Sequence, residues 1–515
     1  MLPYNRTLNR PIFSAKRPRR WKRVLLMALG LPALAAGVVG VTAAYRIYAG
    51  NRASARQGLP PMPPLRPGQR LLVFSPHPDD ETLGAAGLMR EARLRGCDVR
   101  VVFFTCGDAF RVGASREFRK LTVAPSDYVR YGSLRQEESR TALGVLGVPR
   151  DHVVFLGYPD QGLMPLWTTR WNQPFASPYT RADHSPYADA ATPRAAYTGA
   201  SVLADIKRQM LADRPTDIYV THPSDDHPDH AAASVFVRTA LEQLQQAGTP
   251  WARTARLHYY LVHRGDWPVP QGLHEDDALA PPAQMADLDT RWERFPLTSY
   301  DVKRKYAAIN RYKSQTEMMD RFLYSFARRN ELFGSLAEDA GRLPVVPNGH
   351  IRLDGNEDDW EGLRPLELDP VGDSVVKAFQ AGGNITRVYA CRDSRFLYVR
   401  VDMNGRLSPQ VRYAVTLRPV LPLGPQPDSL YFTLTPRAAE RAWPLPGVDG
   451  GSYAWRGDLL EAAVPLARAG LARRVPGETL YVSAETRFAD IVVDKTGFRG
   501  VPCGPKKPAL TAARR

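Results

Sequence analysis

Two clusters combine residue types and spacing suited to holding a metal ion: His77-Pro78-Asp79-Asp80-Glu81 and His227-Pro228-Asp229-His230. His77 and Asp80 stand three apart, an imidazole and a carboxylate that can converge on one ion, and zinc accepts that pair. His227 and His230 are also three apart, straddling a loop and the first turn of a helix, so they present two imidazoles on one face. Three protein ligands with one position open is the pattern of catalytic zinc. His77, Asp80 and His230 are the ligand choice and Zn2+ the expected cofactor, although His and Asp donors also accept iron. Asp79 is then free to act as general base for an attacking water. His227, with Asp229 close in sequence to orient it, fits the group that steadies a developing oxyanion or protonates a leaving amine. Glu81 suits capping of the following helix or a hydrogen bond to a ligand. Either cluster alone also reads as a turn or a helix cap. Together they point to a metal site.

Such residues, 150 apart, meet only if the fold brings them to one edge. Residues 71–75 form a short apolar run, and 82–95 then follow with helical spacing. Strands at 99–105, 152–160 and 216–223 alternate with helices at 133–147, 201–215 and 228–246. That alternation predicts an α/β fold: a Rossmann-like, mostly parallel sheet with helices on both faces. Each candidate cluster follows a strand, and ligands of open α/β sheets bind at the C-terminal strand edge. A helix at 301–334 closes this unit, taken as 70–340. Two long connections, 107–130 and 162–198, interrupt it; the second holds Trp167, Trp171, Phe175, Tyr179, Tyr187 and Tyr197. Aromatics there either stack on sugar rings or pack the loop down. Among the remaining histidines, His222 and His263 end strands and could line the same crevice. Beyond Pro344 the pattern changes to short alternating runs separated by Gly, Pro and Asp, which predicts a C-terminal β-sandwich over 345–503.

The net charge of +16 sits mostly outside these units. Residues 1–70 carry 13 Lys or Arg and no acid, and 504–515 form a basic tail with four more, so the body between is close to neutral. No nucleic-acid partner is implied. Residues 24–45 are 22 uncharged, mostly apolar residues, long enough for one transmembrane helix. The basic arm 1–23 would hold the N-terminus in the cytoplasm and leave the rest periplasmic or extracellular. A cleaved signal peptide is the competing reading, with a secreted product; the length of the apolar run favours the anchor. The segment 46–69, with five prolines between Leu59 and Gly68, is a stiff linker. Four cysteines make no disulfide framework. Cys97 and Cys106 are too far apart along one strand to pair, while Cys391 and Cys503 could pair in an oxidising compartment.

The sequence resembles the PIG-L/LmbE-like zinc-dependent N-deacetylases over about residues 70–335, through HPDDE at 77–81 and HPDH at 227–230. Arg135 to Gly147, LGYPD at 156–160 and Lys305 to Gln315 extend the likeness. The resemblance implies His77, Asp80 and His230 as zinc ligands, Asp79 as base and His227 as the group that polarises the substrate. It further implies that Arg135 and Asp160 contact substrate. The implied reaction is hydrolysis of the acetamide of an N-acetylglucosamine-type sugar, releasing acetate and an amine. A zinc hydrolase of another amide or ester, as in a glycopeptide or antibiotic, is the alternative, and a glycan-binding protein with an inactive enzyme domain is a third. The C-terminal unit resembles family-9 carbohydrate-binding modules in the runs at 353–363, 392–405 and 459–471. Asp354, Asp358 and Asp359 there suit calcium or a turn, and the turn is favoured. Trp360, Trp443 and Trp455 suit sugar stacking or core. The expected whole is a membrane-anchored deacetylase whose partner is an N-acetylated glycan; the oligomeric state is not legible.

Overall fold

The computed structural model describes residues 34, 36–50, 52–53, 58–282, 285, 290–336, 341–369, 371, 377, 379–424, 426–436, 442–473 and 475–505. Part of the apolar run at 24–45 and nearly all the basic arm and tail lie outside that set. Among the described residues no helix is long and apolar enough to cross a membrane.

The α/β part follows the strand and helix alternation read from the sequence. Its chain order is β1 (Arg70–Ser75), α1 (Asp80–Leu94), β2 (Asp98–Thr105), α2 (Pro125–Val145), β3 (Val153–Tyr158), α3 (Gly199–Asp213), β4 (Asp217–Thr221), α4 (Pro228–Gln246) and β5 (Arg256–Tyr260). These strands are parallel, in the order β3-β2-β1-β4-β5. Two more, β6 (Thr290–Pro296) and β7 (Asn330–Leu336), add an antiparallel edge, with β7 next to β5. Alternation along β1 explains why both faces are covered. Leu71 and Val73 join one core with Leu83, Met89 and Val302, whereas Leu72 and Phe74 join another with Ile206 and Phe236. A strand buried on both sides reads as one apolar run, as 71–75 does.

The helix expected at 301–334 is instead α5 (Ser299–Ile309), α6 (Lys313–Tyr324) and strand β7. Tyr312, at the break, is fully buried and donates to Glu81, while Lys305 reaches Glu331 on β7 at 2.8 Å. One straight helix could not direct those side chains to both places. The long connections also hold short helices, Arg111–Glu117 and Leu163–Thr168. Trp167, Trp171, Tyr187 and Tyr197 are buried, so these aromatics pack the loop down.

The C-terminal part has two antiparallel sheets. Its strands are β8 (Glu367–Leu368), β9 (Ile385–Arg392), β10 (Phe396–Met403), β11 (Val411–Val420), β12 (Leu430–Leu434), β13 (Trp443–Pro444), β14 (Ser452–Arg456), β15 (Leu459–Pro465), β16 (Thr479–Phe488), β17 (Ile491–Lys495) and β18 (Arg499–Pro502). One sheet runs β13-β14-β15-β10-β9-β8, the other β12-β11-β16-β17 with β18 on β16. Val399 and Leu460 from the first sheet share an apolar core with Val415 and Val482 from the second. Trp360 is buried, with Nε1 donating to Glu461 at 2.6 Å, and Trp443 and Trp455 pack on the shared core. Asp354 accepts from Asn356 N at 2.9 Å and Asp359 from Arg352 N at 2.5 Å, so both shape turns. Cys391 and Cys503 are buried free thiols.

The two parts are packed against each other. Val420, Tyr481 and Phe498 enter the same core as α3 and α4. Trp167 lies edge-on to Tyr481 at 5.4 Å, and the Arg418 guanidinium covers Trp171 at 4.4 Å.

Candidate active site

Strands β1 and β4 are neighbours at the point where the parallel order reverses, the usual crevice for ligands in such sheets. The loops leaving their C-terminal ends carry the two clusters. His77 Nδ1, Asp80 Oδ2 and His230 Nε2 form a triangle with sides of 3.2, 3.2 and 3.1 Å. Donors about 2.0 Å from a tetrahedral zinc stand about 3.3 Å apart, so the triangle has the size of one face of such a site. Two imidazole nitrogens and a carboxylate oxygen brought this close repel unless protons or a cation lie among them. The side chains respond accordingly. Burial disfavours charge on His230, but Asp225 and Asp80 outweigh it and push its pKa up to about 9. His77 is likewise held well above its usual range against burial, by Asp160, Asp229 and Asp80. Asp80 is held well below the carboxylate range despite burial, by His230 and His77. Three further donor sets lie within 4.8 Å: His77, His227 and His230; Asp80, His230 and His263; His77, Asp160 and Asp229. In the His77, Asp80 and His230 set all three pairs lie within 3.2 Å.

Carboxylates stand behind both imidazoles. His77 Nε2 meets Asp160 Oδ1 at 3.2 Å and Asp229 Oδ2 at 3.3 Å. This favours the proton on Nε2 and leaves the Nδ1 lone pair for the triangle. His230 Nδ1 lies 3.2 Å from Asp225 Oδ2, an ion-pair contact without the direction of a good hydrogen bond. Asp225 was not singled out from the sequence. Its Oδ1 also accepts from His227 N, and its Oδ2 from Val262 N and His263 N, all at 3.0 Å. The signal available was an acid two residues before HPDH; it reads equally as a turn.

Asp79 sits beside the triangle with φ of 119°, a left-handed backbone rarely adopted by residues with a side chain. Its carbonyl accepts from Thr82 N and Leu83 N, both at 2.9 Å, which starts α1 from this strained residue. Arg135 Nη2 donates to Asp79 Oδ2 at 3.1 Å and to Pro78 O at 2.5 Å, and Nη1 donates to Gly107 O at 3.0 Å. Gly107 has φ of +64°, and a Cβ there would fall 2.0 Å from the guanidinium, so glycine is what lets the arginine lie flat. Burial lifts the Asp79 carboxyl to about 8; Arg135 opposes the rise, and Asp80 and Glu81 add to it. Glu81 accepts from Thr82 Oγ1 at 2.5 Å, from Tyr312 Oη and from Asp79 N at 3.2 Å, so it braces the loop.

His227 caps α4. Its Nδ1 accepts from Asp229 N at 3.2 Å, which fixes the neutral tautomer with a proton on Nε2. Burial and the neighbouring His77, His230 and His263 hold it well below the usual imidazole range, so it stays neutral. The Asp229 backbone, and not its carboxylate, therefore orients His227. That carboxylate instead accepts from Gln161 N at 2.6 Å and Leu163 N at 3.0 Å and faces His77. Asp160 Oδ2 accepts from Ala109 N at 2.8 Å. Arg135 and Asp160, expected against substrate, thus back Asp79 and His77. His263 does reach the crevice, its ring 5.0 Å from His230 and stacked on Phe322. His222 does not: it is buried between Trp292 and Thr290, with Nε2 at 3.0 Å from Thr290 Oγ1.

A cluster of His and Asp donors at the switch point of a parallel sheet has the place and the ligand chemistry of a metal site in an α/β enzyme. The family described as PIG-L, GlcNAc-PI de-N-acetylase, matches residues 72–241. The 1D-myo-inositol 2-acetamido-2-deoxy-alpha-D-glucopyranoside deacetylase of Tsukamurella paurometabola is 30% identical over 278 residues, covering 48% of this chain and 83% of that protein. The chain belongs to the PIG-L family. The enzyme of the same name from Mycobacterium sp. (strain KMS) is 33% identical over 184 residues, 34% of this chain, and the match spans 51% of that relative. Among solved structures, N,N'-diacetylchitobiose deacetylase from Pyrococcus horikoshii is 17% identical with a TM-score of 0.32, covering 52% of this chain and 82% of that one.

Proposed function

We propose that the protein is a zinc-dependent N-deacetylase that hydrolyses the acetamide of an N-acetylglucosamine-type sugar. The observation that carries this is the His77, Asp80 and His230 triangle with a buried carboxylate, Asp79, on one side and a neutral imidazole, His227, on the other. Bound zinc would polarise the acetamide carbonyl and make a water more acidic. Asp79, ionised once a cation beside it offsets the lift from burial, takes the proton of the attacking water, held in place by Arg135. The His227 Nε2 proton faces the carbonyl oxygen as charge develops on it. As the C–N bond breaks, the proton gathered by Asp79 passes to the leaving nitrogen, giving acetate and a free amine. Arg135 and Asp160 act in this reading through Asp79 and His77. The relative from Tsukamurella paurometabola, by name a deacetylase of a 2-acetamido-2-deoxyglucopyranoside, supports the bond chosen.

The basic arm and apolar run at 1–45 support an extracytoplasmic site of action, where a glycan is the natural substrate. The test is acetate release from a panel of N-acetylated sugars and glycans, run beside metal analysis of the same preparation. Zinc near one equivalent and acetate release lost in Asp79→Asn are expected. Release from glycopeptides or esters alone would replace the sugar reading with another hydrolase.

A further inference from the structure

The seam between the two parts has an apolar stretch and a charged stretch, and the charged one lies behind HPDH. The apolar stretch is the packing of Val420, Tyr481 and Phe498 with α3 and α4. The charged stretch is built on β8, at the edge of its sheet, where Glu367 pairs with Val388 on β9. Glu367 Oε1 accepts from Ser224 Oγ at 3.0 Å, and Oε2 accepts from Arg499 Nε on β18 at 2.7 Å. Two residues on, Asp369 Oδ1 accepts from Arg264 Nη2 at 3.1 Å and Oδ2 from Lys377 Nζ at 2.9 Å. Glu367, Asp369 and Arg264 are all nearly sealed from solvent. Burial would lift the Asp369 carboxyl, but Lys377 and Arg264 outweigh it and hold it below the usual carboxylate range. Asp369 therefore meets both cations as an anion.

Both carboxylates grip the same stretch of catalytic backbone, the three residues that lead into His227. Glu367 holds the Ser224 hydroxyl directly. Asp369 acts through Arg264, whose Nη1 donates to Ser224 O at 3.1 Å and to Asp226 Oδ1 at 2.9 Å. Asp226 Oδ2 accepts from Gly265 N at 2.5 Å, and its amide donates to His263 O at 2.9 Å. Between Ser224 and Asp226 stands Asp225, the carboxylate that contacts His230 and collects the amides of His227, Val262 and His263. The chain after β17 closes on the same place: a Cβ on Gly497 would lie 2.7 Å from Pro223 O and 2.8 Å from Ser224 Oγ. With Ser224 and Asp226 held from the C-terminal sheets and the 262–265 backbone on the other side, Asp225 has little room to move.

From this geometry we infer that Glu367 and Asp369 are positioning residues of the metal site: two carboxylates of the C-terminal sheets that, through Ser224 and Arg264, set the place of Asp225 and so the aim of His230. The inference rests on the zinc reading above and assigns part of its site to the C-terminal sheets. Buried ion pairs add little to adhesion, because desolvation offsets their attraction, but their strength depends on good geometry. The apolar stretch beside α3 and α4 holds the parts together without any demand on direction. A carboxylate behind a metal-binding imidazole works by its placement, so the loop that carries Asp225 is where directional contacts have an effect on the metal.

The test measures the zinc affinity of the full chain by competition with a chelator. Glu367→Ala and Asp369→Ala are each expected to weaken zinc binding about tenfold, the lower end of what losing Asp225 itself should do. Glu367→Gln, which still accepts from Ser224 Oγ, returns to within about threefold of wild type. In an Asp225→Asn background Asp369→Ala adds less than about twofold, because residues acting through one path are not additive. Val420→Ala, on the apolar stretch, lowers the urea midpoint and leaves zinc affinity within about twofold of wild type. Wild-type affinity in either alanine variant overturns the assignment of that residue. Full additivity with Asp225→Asn, or an equal loss of zinc in Val420→Ala, overturns the assignment of both in favour of general loosening of the seam. Where the alanine variants fail to fold, Ser224→Ala decides, since it removes only the hydroxyl that Glu367 holds: about threefold weaker zinc binding is expected, and unchanged binding overturns the inference. A wild type that binds no zinc overturns the zinc reading and the inference with it, whereas zinc binding insensitive to these changes overturns the inference alone.

Discussion

Arg135 donates to the Asp79 carboxylate at 3.1 Å from a position where both residues are nearly sealed from solvent. The guanidinium is itself held by Pro78 O and Gly107 O, so it acts as a fixed clamp. Removing the acid should be more damaging than removing its clamp. Asp79→Asn is expected to lower kcat for acetate release by about 10³-fold and Arg135→Met by about 10²-fold, in the range of lost acid–base catalysis. Zinc content should stay near wild type in both, because neither side chain belongs to the triangle. Asp79→Asn with wild-type turnover would remove it from the mechanism.

Asp225 contacts His230 Nδ1 at 3.2 Å and also gathers three backbone amides. Carboxylates behind a metal-binding imidazole set its tautomer and basicity, and their loss weakens binding about 10–100-fold. Asp225→Asn should therefore weaken zinc binding by that factor in competition with a chelator, and His230→Ala should abolish it. A wild-type affinity in Asp225→Asn would leave Asp225 with a purely structural role. Stripping zinc from wild type should abolish turnover, with activity returning when zinc is added back.

The chemistry of the site was legible in the sequence because a metal needs certain residue types at short, fixed spacing, and HPDDE and HPDH satisfy this within one loop each. The parallel order was legible because strands buried on both faces are continuous apolar runs. What lies behind the ligands was not. Asp160 and Asp225 back their histidines from separate loops, and nothing local distinguishes such acids from turn formers. Arg135 belongs to a motif visible in the sequence, yet its partner Asp79 is 56 residues away, so an inward-facing clamp and a substrate contact look alike. The division of 301–334 was hidden for a related reason. Apolar spacing in β7 continues that of α6, and only the tertiary partners of Lys305 and Tyr312 reveal the breaks. The packing of Trp167 and Trp171 against Tyr481 and Arg418 required knowing that the C-terminal sheets dock on α4.

Lys305 and Glu331 repair a broken helix. α1 departs from helical geometry at Ala85, and the amides of Gly87 and Leu88 donate to Glu331 at 2.8 and 2.9 Å. Lys305 Nζ donates to Glu331 at 2.8 Å and to Leu83 O at 2.7 Å, so it serves both the carboxylate and a carbonyl at the kink. Both side chains are fully buried. Lys305→Met would leave an uncompensated carboxylate in the core, which costs about 3–5 kcal/mol. Urea unfolding should show that loss, and adding Glu331→Gln should cost less than the two single changes summed. A loss below about 1 kcal/mol in Lys305→Met would mean that the helix amides alone satisfy Glu331.

Glu461 makes part of the stability pH-dependent. Burial lifts its carboxyl from 4.5 to about 7, against hydrogen bonds from Trp360 Nε1 and Gly355 N; Asp359 and Asp354 add to the rise. Between those two values the folded chain keeps a proton that the unfolded chain has released, so stability falls as pH rises through the window. The contribution is complete below about pH 4.5 and gone above about pH 7. Glu461→Gln has no proton to lose there. Other titrating groups are common to both proteins and cancel in the difference. Unfolding free energies from urea titrations at pH 5 and pH 8 should therefore show wild type losing up to about 3 kcal/mol relative to Glu461→Gln as pH rises. A constant offset between the two proteins would reflect only the changed hydrogen bond to Gly355 and would show that Glu461 is ionised across the whole range.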